Sequence, residues 1–241
     1  MKNTFINKIS KNFNDNKLST EMKLKNFTRF VDRRDVAKFL NRYEIFKKQI
    51  NIHGSIIECG VNLGAGFFSW LHFSSILEPY NSSRHIYGFD TFSGFESLDN
   101  KKDKGGIYLN KSKFVKFNNN LKKDNIFESS KIQNKNRPLN HLNKISLIKG
   151  DMTKTFPVFL KKNPHLIISL LHIDLDIYEP TKVILELIKP RLVKGCVIAF
   201  DDLNAKEGPG ETLALLETFG LSRYKLMRNE FDSYLSYLII K

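Results

Sequence analysis

The chain has 241 residues, of which 41% are hydrophobic, and this size and composition are typical of one α/β domain. No apolar run approaches the ~20 residues that span a bilayer, and the basic N-terminal stretch lacks the apolar core of a secretory signal. We therefore expect a cytoplasmic protein without membrane insertion. Cys59 and Cys196 both lie in apolar stretches, which predicts buried, reduced thiols and argues against a disulfide framework or a zinc site.

The net charge of +14 is unevenly distributed along the chain. Residues 1–50 carry 13 Lys or Arg against 5 Asp or Glu, and residues 101–144 carry 12 against 3. These two segments sum to +17, so the rest of the chain sums to −3. The basic segments admit three interpretations: a nucleic-acid partner, an anionic small substrate, or a compositional bias on solvated faces.

Apolar spacing predicts helices first, followed by an alternation of strands and helices. Residues 20–50 have apolar positions at helical spacing, which predicts one or two helices within a basic N-terminal segment, residues 1–50. Residues 51–241 form the main predicted domain. Its short apolar runs are typical of buried parallel strands and lie at residues 54–61, 85–90, 145–151, 170–176 and 196–202. Helical stretches separate most of them, at residues 64–78, 153–162 and 179–192.

Two further features complete the predicted fold. The final RYKLMR and SYLSYLIIK runs predict a closing antiparallel pair, which gives a doubly wound, Rossmann-like α/β sheet of seven strands. Residues from about 92 to 144 are too many for an ordinary connection and are rich in Asn, Lys and Gly. We expect an inserted lid in this interval.

A glycine-rich loop follows the first predicted strand. Glu58 is followed by Gly60, Gly64 and Gly66 in G-x-x-x-G-x-G spacing, which differs from the G-x-G-x-x-G fingerprint of dinucleotide sites. Glycines at this place either let the backbone approach a small ligand closely or form only a tight turn. Because ligands of doubly wound sheets bind outside the carboxyl ends of the strands, this loop is a candidate binding site.

Acidic residues follow the second and third predicted strands. Asp90 lies about 30 residues after Gly60, a position from which a carboxylate accepts hydrogen bonds from ribose hydroxyls. Asp151 is followed by Met152, and the two have alternative interpretations. They present a carboxylate and an apolar face to an adenine ring, or Asp151 is the N-cap of the helix that begins near Thr153.

The fourth and fifth predicted strands bring three carboxylates to one end of the sheet. HIDLDIYEPT contains Asp174, and AFDDLN contains Asp201 and Asp202. Neighbouring strands lie roughly 4.8 Å apart, so these carboxylates converge and require a cation or a proton. Oxygen ligands in an open site favour Mg²⁺ or a similar ion, which would polarise an acceptor hydroxyl while Asp174 takes its proton. Strand alternation points His172, Asp174 and Asp176 to one side, so His172 is either an assisting group or a core histidine.

Several motifs taken together resemble the macrocin O-methyltransferase family, which comprises class I, metal-dependent enzymes that methylate sugar hydroxyls in antibiotic and surface-polysaccharide pathways. The similarity runs from about Phe39 to the C-terminus. Its motifs are IIECGVNLGAG, YGFDTFSGFE, GDMTKTFP, LHIDLDIYEPT, FDDLN and PGETLALLETFGL. The resemblance implies an O-methyltransferase that uses S-adenosylmethionine (SAM) to methylate a small, sugar-containing acceptor.

The resemblance also implies roles for individual residues. For SAM these are Glu58, Gly60 and Gly64 at the methionine part, Asp90 with Thr91 and Phe92 at the ribose, and Asp151 with Met152 at the adenine. For a divalent metal they are Asp174, Asp201 and Asp202, with Asp174 also the base. The basic lid suits an acceptor that carries phosphate, such as a nucleotide-linked sugar. The N-terminal helices offer a surface for a homo-oligomer.

Two other functions are consistent with parts of the sequence. In a nucleic-acid methyltransferase the basic segments would neutralise phosphates, but the fourth strand lacks an N-P-P-Y type ending and the basic segments lack interleaved aromatic residues. A non-catalytic SAM-binding scaffold would have the same fold. The three converging carboxylates argue against a purely structural role.

Overall fold

A seven-stranded sheet forms the centre of the protein in the computed structural model, which describes residues 4–104, 125–232 and 234–241. The strand order is β3-β2-β1-β4-β5-β7-β6. The strands are β1 Ser55–Cys59, β2 Ile86–Asp90, β3 Ile145–Lys149, β4 Ile168–Ile173, β5 Leu192–Phe200, β6 Met227–Arg228 and β7 Ser236–Ile239. Strands β1 to β5 are parallel, whereas β7 runs antiparallel to both β5 and β6. The predicted doubly wound sheet and its antiparallel closing pair are confirmed.

Helices connect the parallel strands and precede the first one. They are α1 Thr4–Asp15, α2 Thr20–Lys25, α3 Arg33–Gln49, α4 Ala65–Leu77, α5 Ile126–Lys135, α6 Met152–Lys162, α7 Tyr178–Ile188 and α8 Gly210–Thr218. Single 3-10 turns lie at Phe27–Arg29 and Lys189–Arg191. Helices α2 and α3 confirm the prediction for residues 20–50, and α3 packs against α4 and β5.

The core lies on both faces of the sheet because the central strands are buried throughout. Strands β1 and β4 are buried at every position, as expected for parallel strands covered by helices on each side. Ile57 of β1 belongs to one apolar cluster, with Phe200, while the adjacent Ile56 belongs to a second cluster with Trp70. This division fixes the register of the strands, since a shift by one residue would exchange the two faces.

Strand β4 is shorter at its carboxyl end than the sequence predicts. It ends at Ile173, and the next residues form a loop in which Asp176 has a positive φ of 64°. Regular strand geometry therefore ends before Asp174, and the expected common orientation of His172, Asp174 and Asp176 stays a prediction. The loop, residues 174–177, leads directly into α7.

The predicted insertion at residues 92–144 falls partly outside the described residues, which omit 105–124. Its described part contains α5, a helix that the sequence did not predict. Within the part of the chain that the structure describes, no helix is both long enough and apolar enough to cross a membrane.

Both cysteines are buried and unpaired, as predicted. Burial raises the pKa of the Cys196 thiol to about 12. Burial and the nearby charge of Glu58 also raise the pKa of the Cys59 thiol well above its usual range. These thiols are therefore core residues rather than nucleophiles.

Candidate functional site

The glycine loop after β1 meets the loop after β4 at the point where the strand order reverses. Gly60 has a φ of 91°, and its N–H donates to the carbonyl oxygen of Phe89 in β2. A Cβ on Gly60 would lie 1.8 Å from the carbonyl oxygen of Asp174. The two loops are therefore in direct backbone contact, at the place where doubly wound folds bind their ligands.

Glu58 lies beneath this loop in a buried polar cluster. Its carboxylate is 1% exposed, and Oε1 lies 3.4 Å from Nδ1 of His172 on β4. A Cβ on Gly66 would approach Oε1 to 2.0 Å, so the carboxylate fills the space beside the first turn of α4. The His172 ring packs edge-on against Trp70, with centroids 5.5 Å apart. This fully buried position supports the interpretation of His172 as a core histidine.

Asp90 links the loops that follow β1 and β2. Its Oδ2 accepts a hydrogen bond of 2.7 Å from the Asn62 N–H, and its Oδ1 accepts one of 2.7 Å from the Phe92 N–H. The Thr91 hydroxyl donates to the carbonyl oxygen of Gly94. The two N–H groups fix the Asp90 carboxylate at the mouth of the glycine loop, where a ribose contact is predicted.

Asp151 is the N-cap of α6. Its Oδ1 accepts hydrogen bonds from both the N–H and the hydroxyl of Thr153, at 2.9 and 2.8 Å, and its Oδ2 accepts one of 2.9 Å from the Ser97 hydroxyl. Burial raises the pKa of Asp151, but hydrogen bonds from Thr153 and Ser97 outweigh it and the net pKa is lowered. Met152 is buried in the core beside Phe156. The N-cap interpretation describes the contacts in this structure, while adenine contacts by Asp151 and Met152 stay a prediction.

The three predicted metal ligands lie at the ends of β4 and β5. The Asp174 N–H donates to the carbonyl oxygen of Cys59 at 2.8 Å, and the Asp201 N–H donates to that of Ile173 at 3.0 Å. Burial, and next the charges of Asp201 and Asp176, raise the pKa of Asp174 well above its usual range. Asp202 follows Asp201 in the same half-buried turn.

The carboxylates have the chemistry of a divalent-cation site, but their side chains do not surround a common point. Among the described residues, no three His, Cys, Asp or Glu side chains are placed to hold one metal ion. Lys38 of α3 lies nearby, with its Nζ 3.9 Å from Oδ2 of Asp201, and supplies a positive charge from the N-terminal segment. The donor set fits a metal in charge and not in geometry.

Sequence reasoning missed two buried carboxylates that contact the loop carrying Asp174. Glu211 in the first turn of α8 accepts the N–H groups of Leu175 and Asp176 at 2.8 and 3.0 Å. Asp103 accepts the N–H of Tyr178 at 2.8 Å. An acidic residue directly after Pro-Gly, at the start of a helix, was a visible signal for Glu211. Nothing near Asp103 in the sequence pointed to this contact.

The strand order and the ligand-binding edge define a class I methyltransferase fold. Residues 57–203 match the methyltransferase domain family, and the chain belongs to this family. Among curated protein sequences, none matches this chain.

Solved structures support the same assignment. The chain is 30% identical to the calicheamicin methyltransferase CalS11, over 97% of this chain and 90% of that one, with a TM-score of 0.87. A ligand-free structure of CalS11, described as a TDP-rhamnose 3'-O-methyltransferase of calicheamicin biosynthesis, shares 28% identity over 97% and 92%, with a TM-score of 0.80. The O-methyltransferase NovP shares 16% identity over 86% and 80%, with a TM-score of 0.64, which supports the fold alone.

Proposed function

We propose that this protein is a SAM-dependent O-methyltransferase that acts on a hydroxyl group of a small, sugar-containing acceptor, in natural-product or surface-polysaccharide biosynthesis. The observation that carries the proposal is the contact between two loops at the switch point of the sheet. Gly60, on the proposed cofactor side, touches Asp174, on the proposed acceptor side. Similarity over nearly the whole chain to a TDP-rhamnose 3'-O-methyltransferase supports a sugar acceptor.

The residues on the cofactor side fit SAM. Glycines let the loop backbone approach its neighbours closely, and the Asp90 carboxylate lies at the mouth of the loop with hydrogen-bonding capacity left for ribose hydroxyls. Glu58 lies beneath the loop and is proposed to face the methionine part, together with Gly60 and Gly64. SAM itself supplies an activated methyl group on a sulfonium. The protein must then align an oxygen with that methyl group and accept a proton.

Asp174 is the proposed base. Burial and the neighbouring carboxylates raise the pKa of Asp174, so its ionised carboxylate is a stronger proton acceptor than a solvated one. Its backbone is held on both sides, by the carbonyl oxygen of Cys59 and by the close approach of Gly60. The acceptor hydroxyl is proposed to lie against the Asp174 carboxylate. The basic segments suit an acceptor that carries phosphate, such as a nucleotide-linked sugar.

Asp174, Asp201 and Asp202 remain the proposed ligands of Mg²⁺ or a similar cation. The charge of Asp201 beside Asp174 supports this proposal, whereas the positions of the three side chains would have to change for all of them to contact one ion. Isothermal titration of MgCl₂ into the protein tests it directly. Binding that the Asp201→Asn variant loses would support the proposed set, and equal binding by that variant would contradict it.

The test of function is release of S-adenosylhomocysteine. The purified protein is incubated with SAM and a panel of nucleotide-activated sugars, including TDP-rhamnose, with Mg²⁺ or with EDTA. We expect turnover with at least one nucleotide sugar and a loss of about 100-fold or more in the Asp174→Asn variant, which keeps its shape but cannot act as the base. Binding of SAM without turnover on any sugar would contradict the proposed acceptor class. Equal turnover of neutral and phosphorylated sugars would contradict the role given to the basic segments.

A further inference from the structure

The loop after β4 is held by two carboxylates that come from distant parts of the chain. Glu211 directs Oε1 at the N–H groups of Leu175 and Asp176, and Asp103 directs Oδ1 at the N–H of Tyr178. Three of the first four backbone N–H groups after Asp174 are therefore bound by carboxylate oxygens. Each of these oxygens takes the place of water at a backbone N–H, so the loop is held from two sides.

Both carboxylates are buried. Glu211 is 0% exposed and Asp103 is 2% exposed. The second oxygen of Asp103 accepts the N–H of Asp99 at 2.8 Å, whereas Oε2 of Glu211 has no hydrogen-bond partner among the described residues. Burial penalises both carboxylates and raises the pKa of each, so these positions oppose the stability of the fold. An apolar residue would anchor α8 with less penalty, which indicates that the carboxylates serve the loop.

Gly210 provides the space for this arrangement. A Cβ on Gly210 would lie 2.5 Å from Oδ1 of Asp103 and 2.5 Å from the backbone nitrogen of Tyr178. The adjacent residues Gly210 and Glu211 therefore have complementary effects. Gly210 leaves room for the Asp103 carboxylate, and Glu211 accepts the N–H groups of Leu175 and Asp176. Asp176 has a left-handed backbone, with a φ of 64°, a conformation that a non-glycine residue keeps only when its surroundings hold it.

We propose that Glu211 and Asp103 form a carboxylate clamp that positions Asp174 for proton removal. The clamp requires glycine at position 210, because a side chain there would collide with Asp103. Both are positioning residues, since neither touches the reacting atoms. The inference rests on the proposed function, because it assigns the clamp a task in methyl transfer. Asp103 lies at the start of the 92–144 insertion, so the clamp also joins this insertion to the loop that carries the base.

The contacts of the clamp are tested by hydrogen exchange, which requires no acceptor. Amide exchange at Leu175, Asp176 and Tyr178 is measured by NMR in the wild type and in Glu211→Ala, Glu211→Gln and Asp103→Ala. We expect Glu211→Ala to speed exchange at Leu175 and Asp176, and Asp103→Ala to speed it at Tyr178. Glu211→Gln should preserve protection, because its amide oxygen can accept both bonds. Unchanged exchange in both alanine variants would overturn the clamp.

The positioning role is tested by kinetics on TDP-rhamnose, or on the best sugar of the panel. In Glu211→Ala we expect kcat to fall by about 100-fold while the KM for SAM stays within about threefold, because a small misplacement of a reacting group costs about that much. Glu211→Gln should recover to within about fivefold of the wild type. Binding of S-adenosylhomocysteine, measured calorimetrically, gives the folded fraction of each variant.

Ser169→Ala is the matched control for stability. Ser169 is buried at the opposite end of β4, where its hydroxyl contacts the carbonyl oxygens of Gly54 and Ser55, so its loss lowers the melting temperature without touching the loop. A Glu211→Ala variant that lost stability like this control and kept its kcat would show a purely structural role. If the wild type methylates no sugar, the proposed function fails and the positioning role fails with it, while the exchange data still decide whether the clamp exists.

Discussion

Gly60 is the residue at which a single added methyl group should most disturb the proposed cofactor site. In Gly60→Ala the new Cβ would meet the Asp174 carbonyl oxygen at 1.8 Å, and the φ of 91° would be strained as well. We expect the Kd for S-adenosylhomocysteine to rise at least about tenfold, since the two loops must separate. Gly220→Ala is the matched control, because Gly220 also has a positive φ, 65°, but has no atom within 4 Å of the added Cβ. Equal binding by both variants, measured by calorimetry, would contradict the importance of this contact.

Single residues differ in how visible their roles are in the sequence. Glu58 and Asp90 are predicted site residues because they stand at fixed distances from a glycine pattern, and that pattern reflects local geometry. Glu211 was missed because its partner amides lie 35 and 36 residues away, and Asp103 because its partner lies 75 residues away. Buried acids also contradict the general tendency of Glu and Asp to be exposed, so composition gives no warning of them.

At the scale of elements, Arg84 joins the amino-terminal edge of the sheet to its neighbouring helices. It is 3% exposed, and its Nε lies 2.7 Å from Oε1 of Glu78 at the end of α4. Its guanidinium also donates to Gln49, Ile50, Ile52, Gly54 and Ser169.

We expect Arg84→Met to lower the free energy of unfolding by about 3 kcal/mol, because it leaves buried acceptors without donors. Arg34→Met removes an ion pair between an exposed guanidinium and the buried Asp32, which keeps the N–H of residue 34 as a partner, so it should change the free energy of unfolding little in the same urea titrations. Comparable losses in both variants would be inconsistent with the difference in burial.

Lys144, directly before β3, should make the free energy of unfolding depend on pH in the alkaline range. Lys144 is buried there and donates to the carbonyl oxygen of Asn81, and burial lowers its pKa to about 8 from the 10.5 of an exposed lysine. Between these two pH values the unfolded chain binds more protons than the folded one, so the contribution of Lys144 to stability increases with pH. The free energy of unfolding of the wild type minus that of Lys144→Met should therefore rise from pH 8 to pH 10. A difference that stays constant in denaturant titrations across this range would refute the burial argument.

Strands and helices could be predicted from the sequence where one or both of their faces consist of apolar residues. All five parallel strands were located, because buried parallel strands are continuous apolar runs. The predicted β4 is too long at its carboxyl end because LLHIDLD continues to alternate. The loop after Ile173 is instead held by hydrogen bonds to Glu211 and Asp103. Helix α5 was missed because only Ile126, Phe127 and Ile132 interrupt its polar sequence.

At the scale of the whole molecule, the basic segments and the acidic strand ends act in opposite directions on a nucleic acid. Asp90, Asp174, Asp201 and Asp202 lie at the candidate site and would repel backbone phosphates that approach it. We expect a fluorescent oligonucleotide of about 20 nucleotides to bind weakly at 50 mM salt and to dissociate by about 200 mM, since only counterion release drives this binding. Anisotropy titrations with and without SAM test this expectation. Tight binding that SAM strengthens would favour a nucleic-acid methyltransferase.

The attachment of Asp103 to the N–H of Tyr178 has a thermodynamic consequence. Any ligand that binds better when the segment around Asp103 is docked must also stabilise the loop after β4, and the ordering of that loop must in return strengthen binding of the ligand by the same factor. Acceptor affinity and base placement then become a single linked equilibrium. An acceptor too small to contact that segment would bind more weakly and also turn over more slowly. Substrate selectivity would then depend on how well the loop after β4 is ordered.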